Sequence, residues 1–229
     1  CRPKSIENSL PMLNRFKTDI PLLFATRIVR LFCYGFLSVV LALYLTEAGL
    51  PEQQIGLLFT LTLAGDAAIS LWLTTSADRF GRKRTLLLGA LLMTGAGVVF
   101  ILTKNPLLLM AAAIIGVISP SGNEIGPFLS IEQAGLTQLV SDQRRTQIFA
   151  WYNLSGSFAT AAGALAGGWL AQGLQGRGLT ALDSYRSVLM GYALGGLILL
   201  VIFSTLSSAI EIPAQLLQRQ VKRTLGLHR

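Results

Sequence analysis

The sequence predicts an all-α membrane protein with six transmembrane helices and both termini on the cytoplasmic side, and three observations predict it. Of the 229 residues 52% are hydrophobic and only 13% charged, whereas soluble domains carry roughly a quarter charged residues. Apolar runs of about 20 residues, the length that crosses a bilayer core, recur between clusters of charge and of Gly, Pro and Asn. The basic residues of those clusters fall almost entirely in alternate connections, as the positive-inside rule requires.

A cytoplasmic segment, residues 1–19, precedes the helices; it is polar and lacks the short apolar core of a cleavable signal peptide. The chain begins with Cys1 rather than Met, which suggests an excerpt or a processed piece. The half-bundle, residues 20–208, contains six spans, Ile20–Thr46, Gln54–Ala77, Thr85–Leu102, Leu107–Ala134, Ile148–Leu174 and Ser187–Ser208. The fourth is the difficult one, because Leu107–Ile118 is apolar but the polar run Ser119-Pro120-Ser121-Gly122-Asn123-Glu124 follows, and such groups are costly against lipid.

Charge decides the fourth span. If all six cross from the inside, Arg2, Lys4, Arg15, Lys17, Arg79, Arg82, Lys83, Arg84, Arg144, Arg145, Arg219, Lys222, Arg223 and Arg229 lie inside, against Lys104, Arg177 and Arg186 outside. Removing that span would export Arg144, Arg145 and the carboxy-terminal cluster. The fifth span is dense in small residues, and Gly163 and Gly167 at four-residue spacing, with Gly168 beside them, are expected to let helix backbones approach closely. Residues 209–229 are expected to form a basic amphipathic cytoplasmic tail along an anionic membrane surface or a linker to a second half.

The net charge of +8 does not indicate nucleic-acid binding, since the basic residues sit between apolar runs and not on one soluble face. Cys1 and Cys33 have no metal spacing and His228 is the only histidine, so no metal site or cofactor is expected. No nucleophile with a base appears, and the glycines of span five lack the strand that a dinucleotide site needs, so no enzyme is expected.

The connection between spans two and three reads Asp78-Arg79-Phe80-Gly81-Arg82-Lys83-Arg84. Asp78 can pair with neighbouring arginines, Gly81 permits a tight reversal, and Arg82, Lys83 and Arg84 can engage helix carboxyl ends or lipid phosphate. This loop resembles the Asp-Arg-x-Gly-Arg-Arg/Lys pattern of the major facilitator superfamily, at the place where that family carries it. Thr74 departs from the pattern, standing four residues before Asp78 where glycine is frequent. The run Gly163-Ala164-Leu165-Ala166-Gly167-Gly168 is similar to the fifth-helix Gly-Pro-x-x-Gly-Gly of proton-coupled exporters, with Ala164 in place of the proline and so without its kink. The resemblance implies one half of a major-facilitator-type bundle and alternating access about a central site, which needs a second six-helix half beyond residue 229 or in another subunit.

Ionisable residues within spans are costly and mark functional candidates. Asp66 in span two is a proton-carrying carboxylate or a structural hydrogen-bonding group. Arg27 is expected to snorkel to the cytoplasmic boundary. Arg30, followed by Tyr34, lies deeper and is expected to pair with Asp66 or Glu124. In span four Pro120 and Pro127 free the carbonyls of Gly116 and Asn123, so the helix is expected to break there and offer its backbone to a ligand or water. Glu124, Phe128 and Glu132 follow at steps of four on one face; the alternative is a polar helix end at the cytoplasmic interface. Glu124 and Asp66 are the proton-coupling candidates, and Arg30, Tyr34, Ser121, Asn123 and Phe128 the cavity candidates. Glu132 is expected to act as a gate or interface residue with Arg144 or Arg145. Trp72, Trp151 and Trp169 are assigned to interfaces or helix packing.

The expected function is a secondary active transporter of a small organic solute, coupled to protons and directed outward, with the lipid bilayer and a proton or other ion as partners and no nucleic acid. Its expected location is a plasma membrane, multi-pass, of the bacterial inner-membrane kind. The alternative is a half-size membrane protein that serves another transporter as a structural or regulatory partner.

Overall fold

The computed structural model describes residues 10–116, 118–120, 122 and 127–206, and the side chains within them except 10–18, 73–74, 76–79 and 127. Among the described residues seven helices follow in order: α1 (Leu10–Glu47), α2 (Glu52–Phe80), α3 (Arg82–Leu102), α4 (Pro106–Ile115), α5 (Pro127–Leu139), α6 (Asp142–Gln175) and α7 (Ala181–Thr205). By length and composition the segments Asp19–Glu47, Glu52–Trp72, Arg82–Leu102 and Ala181–Thr205 are apolar enough to cross a membrane. With 34 residues α6 is long enough as well, but its Gly, Ser and Asn dilute its hydropathy. The fourth expected span is not one helix, since α4 ends at Ile115 and α5 starts at Pro127.

Local chemistry sets the helix ends. α1 stops where Gly49, at φ 90°, lets Leu50 N–H reach the Leu45 carbonyl, the glycine-terminated ending that satisfies orphan carbonyls. Gly178, at φ 91°, does the same for α6, with Leu179 N–H bonded to the Leu174 carbonyl. At the start of α4 the Asn105 side chain accepts from Leu107 N–H, and Pro106 occupies the first turn, where its missing N–H costs nothing. The Thr180 hydroxyl caps α7 and meets the Asp183 carboxylate at 2.7 Å.

α1 is the central column: 61% of its apolar window is buried, against 22% for α2, which lies at the edge. α6 runs along α1 at backbone distance. A Cβ at Gly163 would stand 2.9 Å from Phe36 N, and one at Gly167 3.1 Å from the Phe36 carbonyl carbon. Gly168 points elsewhere, its nearest neighbour being Val39 Cγ1 at 4.0 Å. α7 packs on α1 and α3, where Gly97 seats against Ala193 and Gly196 against Thr94.

Two contacts fix which helix ends lie together. Tyr44 Oη donates to the Phe100 carbonyl at 2.5 Å, placing the end of α3 beside the end of α1. Arg27 meets Tyr152 and Asn153, placing the start of α6 beside the first part of the α1 span. The chain between Leu102 and Asp142 therefore passes from one end of the bundle to the other.

Candidate functional site

Three helices contribute side chains at four-residue spacing to one desolvated cluster: Thr26 and Arg30 from α1, Phe128 and Glu132 from α5, and Tyr152 with the gap at Gly156 from α6. Each pair shares a helix face. Arg30 and Glu132, both at 0% side-chain exposure, form a bidentate ion pair with Nη1–Oε1 and Nη2–Oε2 at 2.7 Å. Tyr152 Oη donates to Oε2 at 2.5 Å, and Thr26 Oγ1 stands 2.9 Å from Oε1. The Thr26 hydroxyl is also 2.9 Å from the Leu23 carbonyl, and its one proton serves one acceptor at a time. With Thr26 turned toward Oε1, all four lone-pair sites of the carboxylate meet donors. Arg30 also lies over the Phe128 ring, 4.7 Å from its centroid, and Phe128 stacks on Phe203 of α7. Gly89 of α3 makes room for that ring, since a Cβ there would come within 2.6 Å of Phe128 Cζ.

Arg27 sits beside this cluster. Its guanidinium lies 4.2 Å over the Tyr152 ring, and Nη2 donates to Asn153 Oδ1 at 3.2 Å. A Cβ at Gly156 would approach Arg27 Nε to 2.6 Å, so only glycine leaves the arginine its place. The expectation that Arg27 snorkels is corrected: it is buried in a cation–π site, where an aromatic face replaces lost water.

The charged partners also differ from expectation. Arg30 pairs with Glu132, and Asp66 accepts no hydrogen bond from it. Glu132 is buried away from Arg144 and Arg145: Arg144 is exposed, and Arg145 meets Asp142 at 2.6 Å and the Thr137 carbonyl at 3.3 Å. Glu124, Ser121 and Asn123 lie outside the described residues. Of the interruption between α4 and α5, Ser119 is buried and Gly122, at φ 69°, lies where a Cβ would meet Ser38 Oγ at 3.2 Å and Thr160 Cγ2 at 3.5 Å. Gly122 thus seats between α1 and α6.

Asp66 in α2 is 1% exposed, and neither carboxylate oxygen accepts a hydrogen bond among the described residues. Tyr34 of α1 and Tyr192 of α7 are fully buried, and Asp66 lies within electrostatic reach of Tyr192. In the α2–α3 loop Gly81 takes φ 95°, open to glycine, and Lys83 Nζ donates to the Ser204 and Leu206 carbonyls at 2.7 Å, neutralising the negative end of α7. Arg82 is buried; the side chains of Asp78 and Arg79 are outside the described set. Among the described residues no cluster of His, Cys, Asp or Glu could hold a metal.

Thr26, Tyr152, Asn153 and Gly156 escape the sequence reading as site residues. Their one signal is the repeat of four-residue spacing about Arg30 and within the Tyr152-to-Gly156 run.

Long apolar helices around a water-excluded ion pair define a polytopic membrane protein with a polar interior. A family model described as Major Facilitator Superfamily matches residues 23–225, and the chain belongs to that superfamily, whose members are membrane transporters rather than enzymes. It is similar to an uncharacterized membrane protein of Saccharomyces cerevisiae, 41% identical over 196 residues that make up 85% of this chain and 44% of that protein. The chain thus spans less than half the length of this relative.

Proposed function

We propose that the chain forms the amino-terminal half of a secondary active transporter that moves a small organic solute by alternating access, coupled to protons and directed outward. Asp66 carries the proposal. A coupling group must gain and lose a proton during the cycle, and a carboxylate already saturated by Arg30, Tyr152 and Thr26, as Glu132 is, gives up strong buried contacts to do so. Asp66 has no such contacts to surrender among the described residues. Intramembrane acids in transporters mark proton and ion paths.

Glu124, with Ser121 and Asn123, remains the second coupling and binding candidate, on the interrupted segment where freed backbone groups suit a ligand. Arg30, Tyr34 and Phe128, fully buried within this half, brace the wall of the cavity from behind, and a second six-helix half closes it. Outward direction rests on the likeness of Gly163–Gly168 to the exporters' fifth-helix pattern. The relative is a yeast protein, so a bacterial inner membrane is not carried forward, and a plasma membrane is the proposed location.

The full-length protein, reconstituted in liposomes loaded with a pH-sensitive dye, tests this against a panel of organic cations, anions and neutral solutes. Transport of at least one solute is expected to shift the internal pH. Asp66→Asn is expected to abolish that shift while solute binding, read by thermal stabilisation, persists. Solute flux in the wild type without any pH change overturns the coupling, and an unaltered shift in the variant overturns the role of Asp66.

A further inference from the structure

A groove of about 670 Å³ runs between α1, α6 and α7 on the outside of the bundle. Its walls are Ile28 and Phe32 of α1, Phe158 and Ala162 of α6, and Leu194 and Ile198 of α7. The polar-named residues that line it are Cys33, which is buried, and Ser155. The Ser155 hydroxyl donates to its own helix, to the Tyr152 carbonyl at 3.0 Å. The surface it offers is therefore apolar. The rims are open, with Phe158 69% and Leu194 58% exposed. Small residues create the depth: Gly191 lets α7 close on the Phe36 ring, and Gly195 lies against the Cys33 sulfur.

The α6 wall continues toward the charged end of the helix. Stepping down from Ala162 by turns, Phe158, Ser155, Trp151, Ile148 and Arg144 share one face, since their spacings follow the 3.6-residue period. Trp151 and Arg144 are exposed. From Arg144 to Ser155 the helix rises about 16 Å, close to half of the roughly 30 Å hydrocarbon core. A basic group at the boundary, an amphipathic ring above it and an apolar slot deeper still match the parts of a glycerophospholipid: phosphate, glycerol region and the distal part of an acyl chain.

We propose that this face binds an anionic phospholipid, with its acyl chain in the groove between α1, α6 and α7 and its headgroup at Arg144. The positive charge of Arg144 makes the site selective for anionic over zwitterionic headgroups, and the slot makes it dependent on the chain.

Native mass spectrometry of the full-length protein in detergent, supplied with phosphatidylserine or phosphatidylcholine of identical oleoyl chains, provides the test. Phosphatidylserine is expected to be retained about fivefold more, the effect of one basic residue at a membrane surface. Arg144→Gln is expected to erase the preference by lowering phosphatidylserine retention more than phosphatidylcholine retention. Ala162→Trp and, from the opposite wall, Ile198→Trp are expected to lower retention of both lipids, and either suffices if the other does not fold. Equal retention of the two lipids by the wild type, a preference that survives Arg144→Gln, or the absence of any lipid adduct because the rest of the protein covers the groove would each overturn the proposal.

Discussion

Arg30 and Glu132 are withdrawn from water, and two such charges recover their desolvation cost only when geometry and additional donors are close to ideal. Here the fork of the guanidinium matches both carboxylate oxygens, and Tyr152 and Thr26 occupy the positions that Arg30 leaves. The consequence is a strongly coupled pair. Arg30→Leu and Glu132→Leu are each expected to cost about 3–5 kcal/mol, because each leaves a buried charge without its partner, whereas the double variant is expected to lose less than either. Thermal unfolding in detergent, arranged as a double-mutant cycle, measures this; additive losses would show that the two residues act independently. The sequence marks Arg30, Asp66, Glu124 and Glu132 as intramembrane charges but does not join Arg30 to Glu132. Four-residue spacing identifies which side chains share a face of one helix. It does not say at what height that face meets another helix 102 residues away in the chain, because that depends on tilt and packing of the whole bundle.

At the scale of the element, the glycines of α6 show what spacing can and cannot tell. Gly163 and Gly167, marked by their interval as a close-approach surface, meet the backbone of α1 at Phe32 and Phe36. Gly168 looks equivalent in the sequence, yet it is turned about 100° away on the helix, where a Cβ would meet Val39 Cγ1 at 4.0 Å. Gly163→Leu is therefore expected to push α6 off α1 and destabilise the bundle by about 1–3 kcal/mol or more, the range for overpacking. Gly168→Ala, with its Cβ in ordinary contact distance, is expected to leave the unfolding temperature unchanged within error. Equal effects would mean that α1 and α6 do not meet along this line. The interruption of the fourth span was legible for a simpler reason. Pro127 cannot donate within a helix interior, and it stands at the first turn of α5, where that donor is not required.

At the scale of the whole molecule, the positive-inside distribution and the fold give the same traverse of the chain from different kinds of information. Charge counting needs the segment between Leu102 and Asp142 to cross so that Arg144 and Arg145 stay with Arg82, Lys83 and Arg84. The packing brings Phe100 to Tyr44 at one end of the bundle and Tyr152 to Arg27 toward the other. Neither α4, with 10 residues, nor α5, with 13, is long enough to cross alone. End to end they rise about 15 and 20 Å, which together exceed a hydrocarbon core of roughly 30 Å. Within their polar interruption Ser119 is buried, and Gly122 lies against Ser38 of α1 and Thr160 of α6, away from lipid. We propose six crossings on this basis, open to a direct test in the full-length protein with its cysteines, Cys1 and Cys33 among them, replaced by serine. Single cysteines introduced at Lys104 and Arg177 are expected to react with a membrane-impermeant maleimide added outside intact cells. Those at Arg84 and Asp142 are expected to react only after permeabilisation. Labelling of Lys104→Cys and Asp142→Cys from the same side would mean that α4 and α5 form a re-entrant pair, and α6 and α7 would then have to run in the opposite sense through the membrane. That outcome would place Arg144 and Arg145 outside and leave Lys83, which is bonded to the end of α7, on the other side from the α6 start. The contacts of Gly156 with Arg27, Gly163 with Phe32 and Gly167 with Phe36, which advance together along the two helices, and the bond of Lys83 to the end of α7 oppose such an arrangement, so the labelling experiment tests the helix packing and the topology together.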